Sequence, residues 1–408
     1  MSDSAGNGRA SLTRRAEFTA YSTAFCAIGI PPMAHLVGPL WALEIGASPL
    51  LIGIAMGARS LLPFLFSIHG GALIDQFGVR RIMTFCALAG AVLMAAYPAL
   101  PSIAALVGLQ LITGFLYTVG WIGAQTQITH LTGGDQKYMG RFASITAFSN
   151  FLAPPFIGFV WDIGGAWAAY GAISAFSVLL WISVTAMPVA LAAPKTRPNL
   201  RQLLPAPKDY REAFRLFAVP SIAFVVISSF LLNALFSIRF SFLPVYMEDI
   251  GFKGTIIGAM IGGAFLVSSL TSLLAQPVRR LVPPQWAVIA ATIFAALGIA
   301  STPLFVDIGG LGLGTVVFGG GVGIGMAFVL SLLARAVPPA QMGLSIGLRT
   351  TANRFSSFAI PILAGIVIEA TSLAAGFYVI AAIVIAGVAA MAIFVRRTPS
   401  IGDTFRDS

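Results

Sequence analysis

Charge is what this sequence has least of. Asp, Glu, Lys and Arg together make up 9% of 408 residues, where soluble domains carry roughly 25%. So little charge cannot coat a soluble globule of this size, and that class is excluded. Cysteine is nearly absent too: Cys26 and Cys86 sit singly inside apolar runs, which excludes a disulfide framework and offers no metal-ligand spacing. Three histidines and no visible Ser-His-Asp or metal-ligating cluster lead us to expect no enzymatic activity, no metal and no cofactor. The net charge of +10 would suit a nucleic-acid binder. However, the bases are scattered between apolar runs and not gathered on one domain, so no nucleic-acid partner is expected.

What is present is apolar sequence, 58% of the chain, with a mean hydropathy of +0.91. A bilayer core takes about 20 apolar residues per helix. That rule predicts an all-α polytopic membrane protein with twelve transmembrane helices. The first six lie at about 18–43, 49–70, 80–99, 102–128, 141–161 and 166–191. The second six lie at about 217–246, 254–276, 284–305, 309–335, 342–368 and 373–395. The first run is too long for a signal-peptide core of about 7–15 residues and is read as an uncleaved span. The chain then divides into an N-terminal tail (1–17), a six-helix bundle (18–191), a basic central loop (192–216), a second six-helix bundle (217–395) and a C-terminal tail (396–408).

Orientation follows from Lys and Arg near the span ends. Of 24 such residues, Arg59, Arg239, Arg349 and Arg354 lie within spans, and Lys253 lies on the side reached after odd-numbered spans. The remaining nineteen lie on the other side, with both termini. The rule places that side in the cytoplasm of a cell with a bacterial-type inner membrane.

The two halves repeat. PLWALEIGASPLLIG returns as PVYMEDIGFKGTIIG, aligning Pro39, Glu44, Gly46 and Gly53 with Pro244, Asp249, Gly251 and Gly258 at an offset of 205. In spans five and eleven, Pro154, Gly158 and Asp162 return as Pro361, Gly365 and Glu369 at an offset of 207. Those prolines and glycines are candidates for helix kinks and close packing. An even number of spans per half gives both halves the same orientation, the arrangement in which solute sits between two rocking bundles. GGGVGIG at 319–325 looks like a nucleotide loop, yet it lies inside an apolar span without a following Lys-Ser/Thr, so it reads as helix packing.

Between spans two and three stands GALIDQFGVRR, residues 71 to 81. It resembles the loop signature of the major facilitator superfamily, Gly-x-x-x-Asp-x-x-Gly-x-Arg-Lys/Arg, matching at Gly71, Asp75, Gly78, Arg80 and Arg81. The resemblance implies a monomeric secondary active transporter working by alternating access, with this loop as a conformational latch bracing the two halves. Its partners would be a small-molecule solute, protons or a counter-solute, and the lipid bilayer. Departures are visible. The second-half counterpart, AQPVRRLVPP, keeps Arg279 and Arg280 without the glycines or the aspartate, and span four has no charge. NFLAPPFIGF in span five partly resembles an antiporter signature, with Ala153 where a glycine is expected; that favours efflux.

Ionisable groups within the hydrocarbon are costly and mark function by default. All 14 Asp and Glu fall in loops, tails or span ends, so the interior charge is arginine. Arg59, Arg239, Arg349 and Arg354, with His35 and Asn353, are therefore the candidate substrate-binding residues. By the repeat, Arg239 falls beside the counterpart of His35, and the two are expected to face one another. On span eleven, Arg349, Asn353 and Ser356 share one face, while Arg354 lies on another with Thr350 and Ser357; either face can line a cavity. A positive cavity without a carboxylate favours an organic anion or an acid-bearing amphiphile. Two other readings stay open: a proton-coupled multidrug efflux antiporter, and a transport-inactive sensor or scaffold with the same fold.

Overall fold

A computed structural model describes residues 13–66, 70–187, 215–337 and 341–406. Residues 192–214 of the central loop and 1–12 of the N-terminal tail fall outside this set. Every described element is helical, as the bilayer requires where no water satisfies backbone groups. The first half comprises α1 (Arg14–Glu44), α2 (Pro49–Leu65), α3 (Gly70–Phe77), α4 (Val79–Ala99), α5 (Ile103–Thr132) and α6 (Gln136–Thr185). The second half comprises α7 (Pro220–Asp249), α8 (Gly254–Ser272), α9 (Ala275–Leu281), α10 (Pro284–Ala300), α11 (Ile308–Ala336), α12 (Met342–Ala370) and α13 (Leu373–Arg397). A terminal helix, α14 (Pro399–Arg406), docks under the second half through Ile401 and Phe405.

Ten of these helices are long and apolar enough to cross a membrane. One of them, α6, runs for 50 residues and reverses at Gly164 and Gly165, where Gly165 has φ 60°, so it crosses twice. The shorter α2 makes the twelfth crossing, as the sequence predicts. Side-chain caps start several helices: Ser102 accepts from the Ala105 amide, Asp307 from Gly310 and Ser372 from Ala375.

The internal repeat is a repeat of backbone. Gly46 (φ 76°) and Gly251 (φ 86°) turn the chain after α1 and after α7. In the first turn the Gly46 amide bonds Leu43 O at 2.9 Å; in the second, Gly251 bonds Glu248 O at 2.9 Å. A left-handed residue is cheap only for glycine, which is why the same letter stands at both places.

Within each half the helices form a bundle; the halves meet chiefly where α2 crosses α12, α6 crosses α8 and α1 meets α7. Lipid removes the hydrophobic drive between helices, so small residues and backbone contact must hold such crossings. A Cβ on Gly53 would run into Pro361 O, and one on Gly258 would run into Pro154 O. Gly57 and Gly262, one turn further in, lie as closely on Phe358 O and Phe151 O. Gly365 abuts Pro49 O and Gly158 abuts Gly254 O. The prolines and glycines singled out by the repeat are thus the crossing points between halves. GGGVGIG serves the second half similarly, with Gly321 against Ala291 O of α10 and Gly323 against Ser268 O of α8.

The crossings between the halves lie within about three turns of the face away from the basic loops, roughly 16 Å at about 5.4 Å per turn. Two carboxylates fasten that face. Asp162, at the end of the first α6 crossing, accepts from the α8 amides of Gly254 (2.7 Å) and Thr255 (2.9 Å) and from the Thr255 hydroxyl (2.5 Å). Glu369, at the end of α12, accepts from the Ser48 hydroxyl (2.7 Å) and the α2 amide of Leu50 (2.8 Å). Each caps a helix N-terminus of the opposite half, where backbone N–H groups are unsatisfied and the dipole favours a negative charge.

Two outcomes are expected. Gly53→Val and Gly258→Val should each destabilise the closed face by about 1–3 kcal/mol and lengthen the distance between spin labels on α2 and α12, or on α6 and α8, measured by double electron–electron resonance. The Ser48 hydroxyl, and then the Leu50 amide, hold the Glu369 carboxyl below its ordinary range. Closure therefore gains from ionised Glu369 above the usual carboxylate value, about 4.3, and loses that gain as pH falls through the depressed value. Glu369→Gln at neutral pH should widen the α2–α12 distance in the direction that acidification widens it in the native protein.

Candidate functional site

A cavity of about 320 Å³ lies between the halves, on the inner side of these crossings. Its polar lining includes His35 from α1, Arg59 and Ser60 from α2, Gln110, Thr113 and Tyr117 from α5, Asn150 from α6, Asn233, Ser237 and Ser241 from α7, and Arg354 and Ser357 from α12. Among the described residues, no carboxylate lines it.

Arg59 organises the first-half wall. Its Nε donates to Gln110 Oε1 (2.9 Å), its Nη2 to Ala34 O (2.9 Å), and its Nη1 lies 2.9 Å from His35 Nδ1. All three partners are neutral acceptors, so the guanidinium is hydrogen-bonded but its charge is uncompensated among the described residues. Two glycines make room for it. A Cβ on Gly114 would strike the Arg59 backbone oxygen, and one on Gly38 would crowd both the Gln110 amide nitrogen (2.9 Å) and Arg59 Nη2 (3.0 Å).

The second-half wall is aromatic and amide-rich. Phe236, Phe240 and Phe265 pack together at centroid distances of 4.5–5.7 Å, and Phe240 meets the His35 ring at 5.3 Å. Asn233 Nδ2 donates to the Asn353 carbonyl and to Ser357 Oγ, both at 2.8 Å, which ties α7 to α12 beside the cavity. Arg354 opens onto the cavity with neither a hydrogen bond nor a carboxylate partner among the described residues.

The sequence candidates thus separate. His35, Arg59 and Arg354 come together on the cavity. Arg349 and Asn353 do not line it: Asn353 Oδ1 accepts from Ser229 Oγ of α7 (2.9 Å), Arg349 Nη1 stands 3.5 Å from the same oxygen, and Ser356 Oγ donates to Phe230 O (3.3 Å). Of the two faces of α12, the one with Arg354, Ser357 and Pro361 is the cavity face.

Arg239 departs from expectation. It is 2% exposed and points away from His35, donating from Nη2 to Thr315 Oγ1 of α11 (2.6 Å) with its guanidinium 4.7 Å from the Phe318 ring centroid. Successive helical residues are turned by about 100°, so only one of Arg239 and Phe240 can face His35, and Phe240 does. Gln110, Asn150, Asn233 and Trp121 are lining residues that sequence reasoning missed. The signal for the first three was available, because each is an amide side chain inside an apolar span.

Of the latch motif, Gly78 (φ 86°) forms the turn between α3 and α4, and α3 packs on α4 and α5. Arg80 Nη2 donates to Thr185 O at the end of α6 (2.6 Å), a brace within the first half. Arg81 is exposed. Gly71 lies in α3; the Asp75 side chain and residues 338–340 ahead of α12 lie outside the described set.

Arg239 is a buried cation without a carboxylate partner among the described residues, held by one hydroxyl and a ring face. Arg239→Met, which fills the same length without charge, should hold the unfolding temperature or raise it. Arg239→Ala should cost about 2–5 kcal/mol through the void it leaves. Thermal unfolding in detergent compares the two.

The family model for the Major Facilitator Superfamily matches residues 18–361. No functionally curated protein matches in sequence. Among solved structures, the nucleoside transporter NupG superposes with a TM-score of 0.78 at 15% identity, covering 94% of this chain and 99% of its own. The peptide transporter POT in complex with sulfate gives 0.73 at 15% identity, with 96% of each chain covered. The human organic anion transporter MFSD10 gives 0.58 at 18% identity, covering 93% of this chain and 99% of its own. At these identities the likeness is one of fold.

Proposed function

The chain belongs to the major facilitator superfamily, and from that premise we propose that it is a secondary active transporter of small organic anions, working by alternating access around the central cavity. One observation carries this reading. Arg59 from the first half and Arg354 from the second face the same cavity, and no carboxylate among the described residues lines it. Buried charge in the membrane is costly unless paired, and a carboxylate-bearing solute supplies the missing partner for both guanidiniums. Bound between them, it would tie one half to the other, which is what a solute must do to stabilise an intermediate between two rocking bundles.

The aromatic wall of Phe236, Phe240 and Phe265, with Trp121 opposite, suits an apolar or aromatic body behind the acid. The volume, about 320 Å³, sets the solute at the small end of the range for ligand pockets, about 300–1,000 Å³. The basic loops mark the cytoplasmic face of the cell membrane by the positive-inside rule, with both termini on that side. Closure at the other face then corresponds to a state turned away from the outside. Pro154 and Gly158 serve that closure, so the antiporter-like stretch around them sets no direction of its own.

Binding to purified protein tests this. Benzoate, a small aromatic carboxylate, is expected to bind by titration calorimetry, and tetraphenylphosphonium, a bulky organic cation, is not. Arg354→Gln should weaken benzoate by about tenfold or more, since a charge-assisted hydrogen bond is worth roughly 1.5–3 kcal/mol. Preference for the cation would instead support the multidrug exporter.

A further inference from the structure

We propose that His35 is the proton carrier of the transport cycle: it takes up a proton when an anion binds between Arg59 and Arg354 and returns it when the anion leaves. The proposal rests on the anion reading above and adds the coupling ion and its site.

The geometry defines the state of the empty site. Arginine has five N–H donors and no acceptor. The 2.9 Å contact between Arg59 Nη1 and His35 Nδ1 is therefore a hydrogen bond in which Nδ1 accepts through its lone pair. That leaves His35 neutral, with its one N–H on Nε2. The same lone pair is where a proton would add, so the bond to Arg59 and protonation exclude one another.

An arriving carboxylate competes for that Nη1–H group, because a charged acceptor forms the stronger bond with a guanidinium. Once Arg59 turns its N–H to the carboxylate, His35 Nδ1 is free. It takes a proton that arrives from solution as hydronium, whose O–H bond breaks as the N–H forms and which leaves as water, and the imidazolium so formed becomes a further donor to the bound anion. No other bond is made or broken. In charge, two guanidiniums alone are replaced by two guanidiniums, one carboxylate and one imidazolium, so the cavity keeps its net charge through the cycle. In a medium of low dielectric that balance matters, and by linkage anion and proton each tighten the other.

Among the described residues, the surroundings leave His35 without a competitor. α2 presents Arg59 and α12 presents Arg354, and α5 adds Tyr117 as the other titratable group on the cavity. α6 offers Asn150, α7 offers Asn233, Ser237, Ser241 and the Phe240 ring, and α8 offers Phe265, all neutral. Carboxylates, the usual proton relays of transporters, stand only in loops, tails and span ends of this chain. Histidine is the side chain whose ordinary titration falls near neutrality. Anion and proton would consequently cross together, without net charge for a monovalent anion.

The test uses full-length protein in detergent. Benzoate is titrated calorimetrically near neutral pH in two buffers of unlike ionisation enthalpy, which counts the protons exchanged on binding. In parallel, 15N-histidine spectra are recorded with and without benzoate. The chain has three histidines, so the His35 signals are assigned by their loss in His35→Asn. The expected result is uptake of about one proton per benzoate, with His35 Nδ1 moving from an unprotonated to a protonated signal while His69 and His130 stay still. Binding without proton uptake and with an unmoved His35 would overturn the proposal, leave the anion reading intact and reduce His35 to a brace for Arg59. Failure of benzoate and other small carboxylates to bind overturns both.

Discussion

A positive charge inside a bilayer, without a carboxylate partner among the described residues, is the constraint from which most of this structure follows. Arg59 sits too deep to reach water along its own span, so the protein must surround it with acceptors. Gln110, the Ala34 carbonyl and His35 Nδ1 supply three, and Gly38 and Gly114 recede to admit the side chain. These groups come from α1, α2 and α5, so solvating one guanidinium locks three helices of the first half around the cavity. Neutral acceptors satisfy its hydrogen bonds and leave its charge over, and Arg354 adds a second charge from the other half. The chemistry of the cavity is what that surplus attracts.

The scaffold around the charge is nearly two-fold, and its symmetric and asymmetric parts divide the labour. Closure is symmetric. Gly53 on Pro361 mirrors Gly258 on Pro154, and Glu369 capping α2 mirrors Asp162 capping α8. On the transport reading proposed above, a hinge that rocks two bundles about a common axis gains from equal contacts on both sides. The cavity lining is asymmetric. Arg59 and His35 have no charged twins, and the position matching His35 is Phe240, whose ring lies against it. The first half brings Arg59 and His35 to the cavity, and the second brings an aromatic wall and Arg354. The basic-face motif is also one-sided, since its second-half counterpart keeps only the arginines.

Arg239 shows why a buried arginine is not by itself a binding residue. With its charge over the Phe318 ring and its Nη2 on Thr315, it is packed into the second bundle at the same depth as residues that line the cavity. Arg349 likewise serves the α7–α12 seam next to Ser229. Both meet the sequence criterion of an ionisable group in the hydrocarbon, and both are used for packing.

Much of this protein was determined by the sequence alone. Span number, the crowding of bases on one side, the internal repeat, and the proline and glycine positions of the crossings all follow from composition at periods that the bilayer and the helix impose. Those are one-dimensional facts, because membrane thickness sets span length and only glycine lets two backbones meet. Tertiary structure alone decided which charges share a cavity. Arg59 and Gln110 are 51 residues apart, and Asn233 and Ser357 are 124 apart. Neighbours on a helix point about 100° away from one another, so Phe240 reaches His35 while Arg239 turns from it. The rotation of each helix about its own axis is set by packing against its neighbours, and no local pattern in an all-apolar span records it.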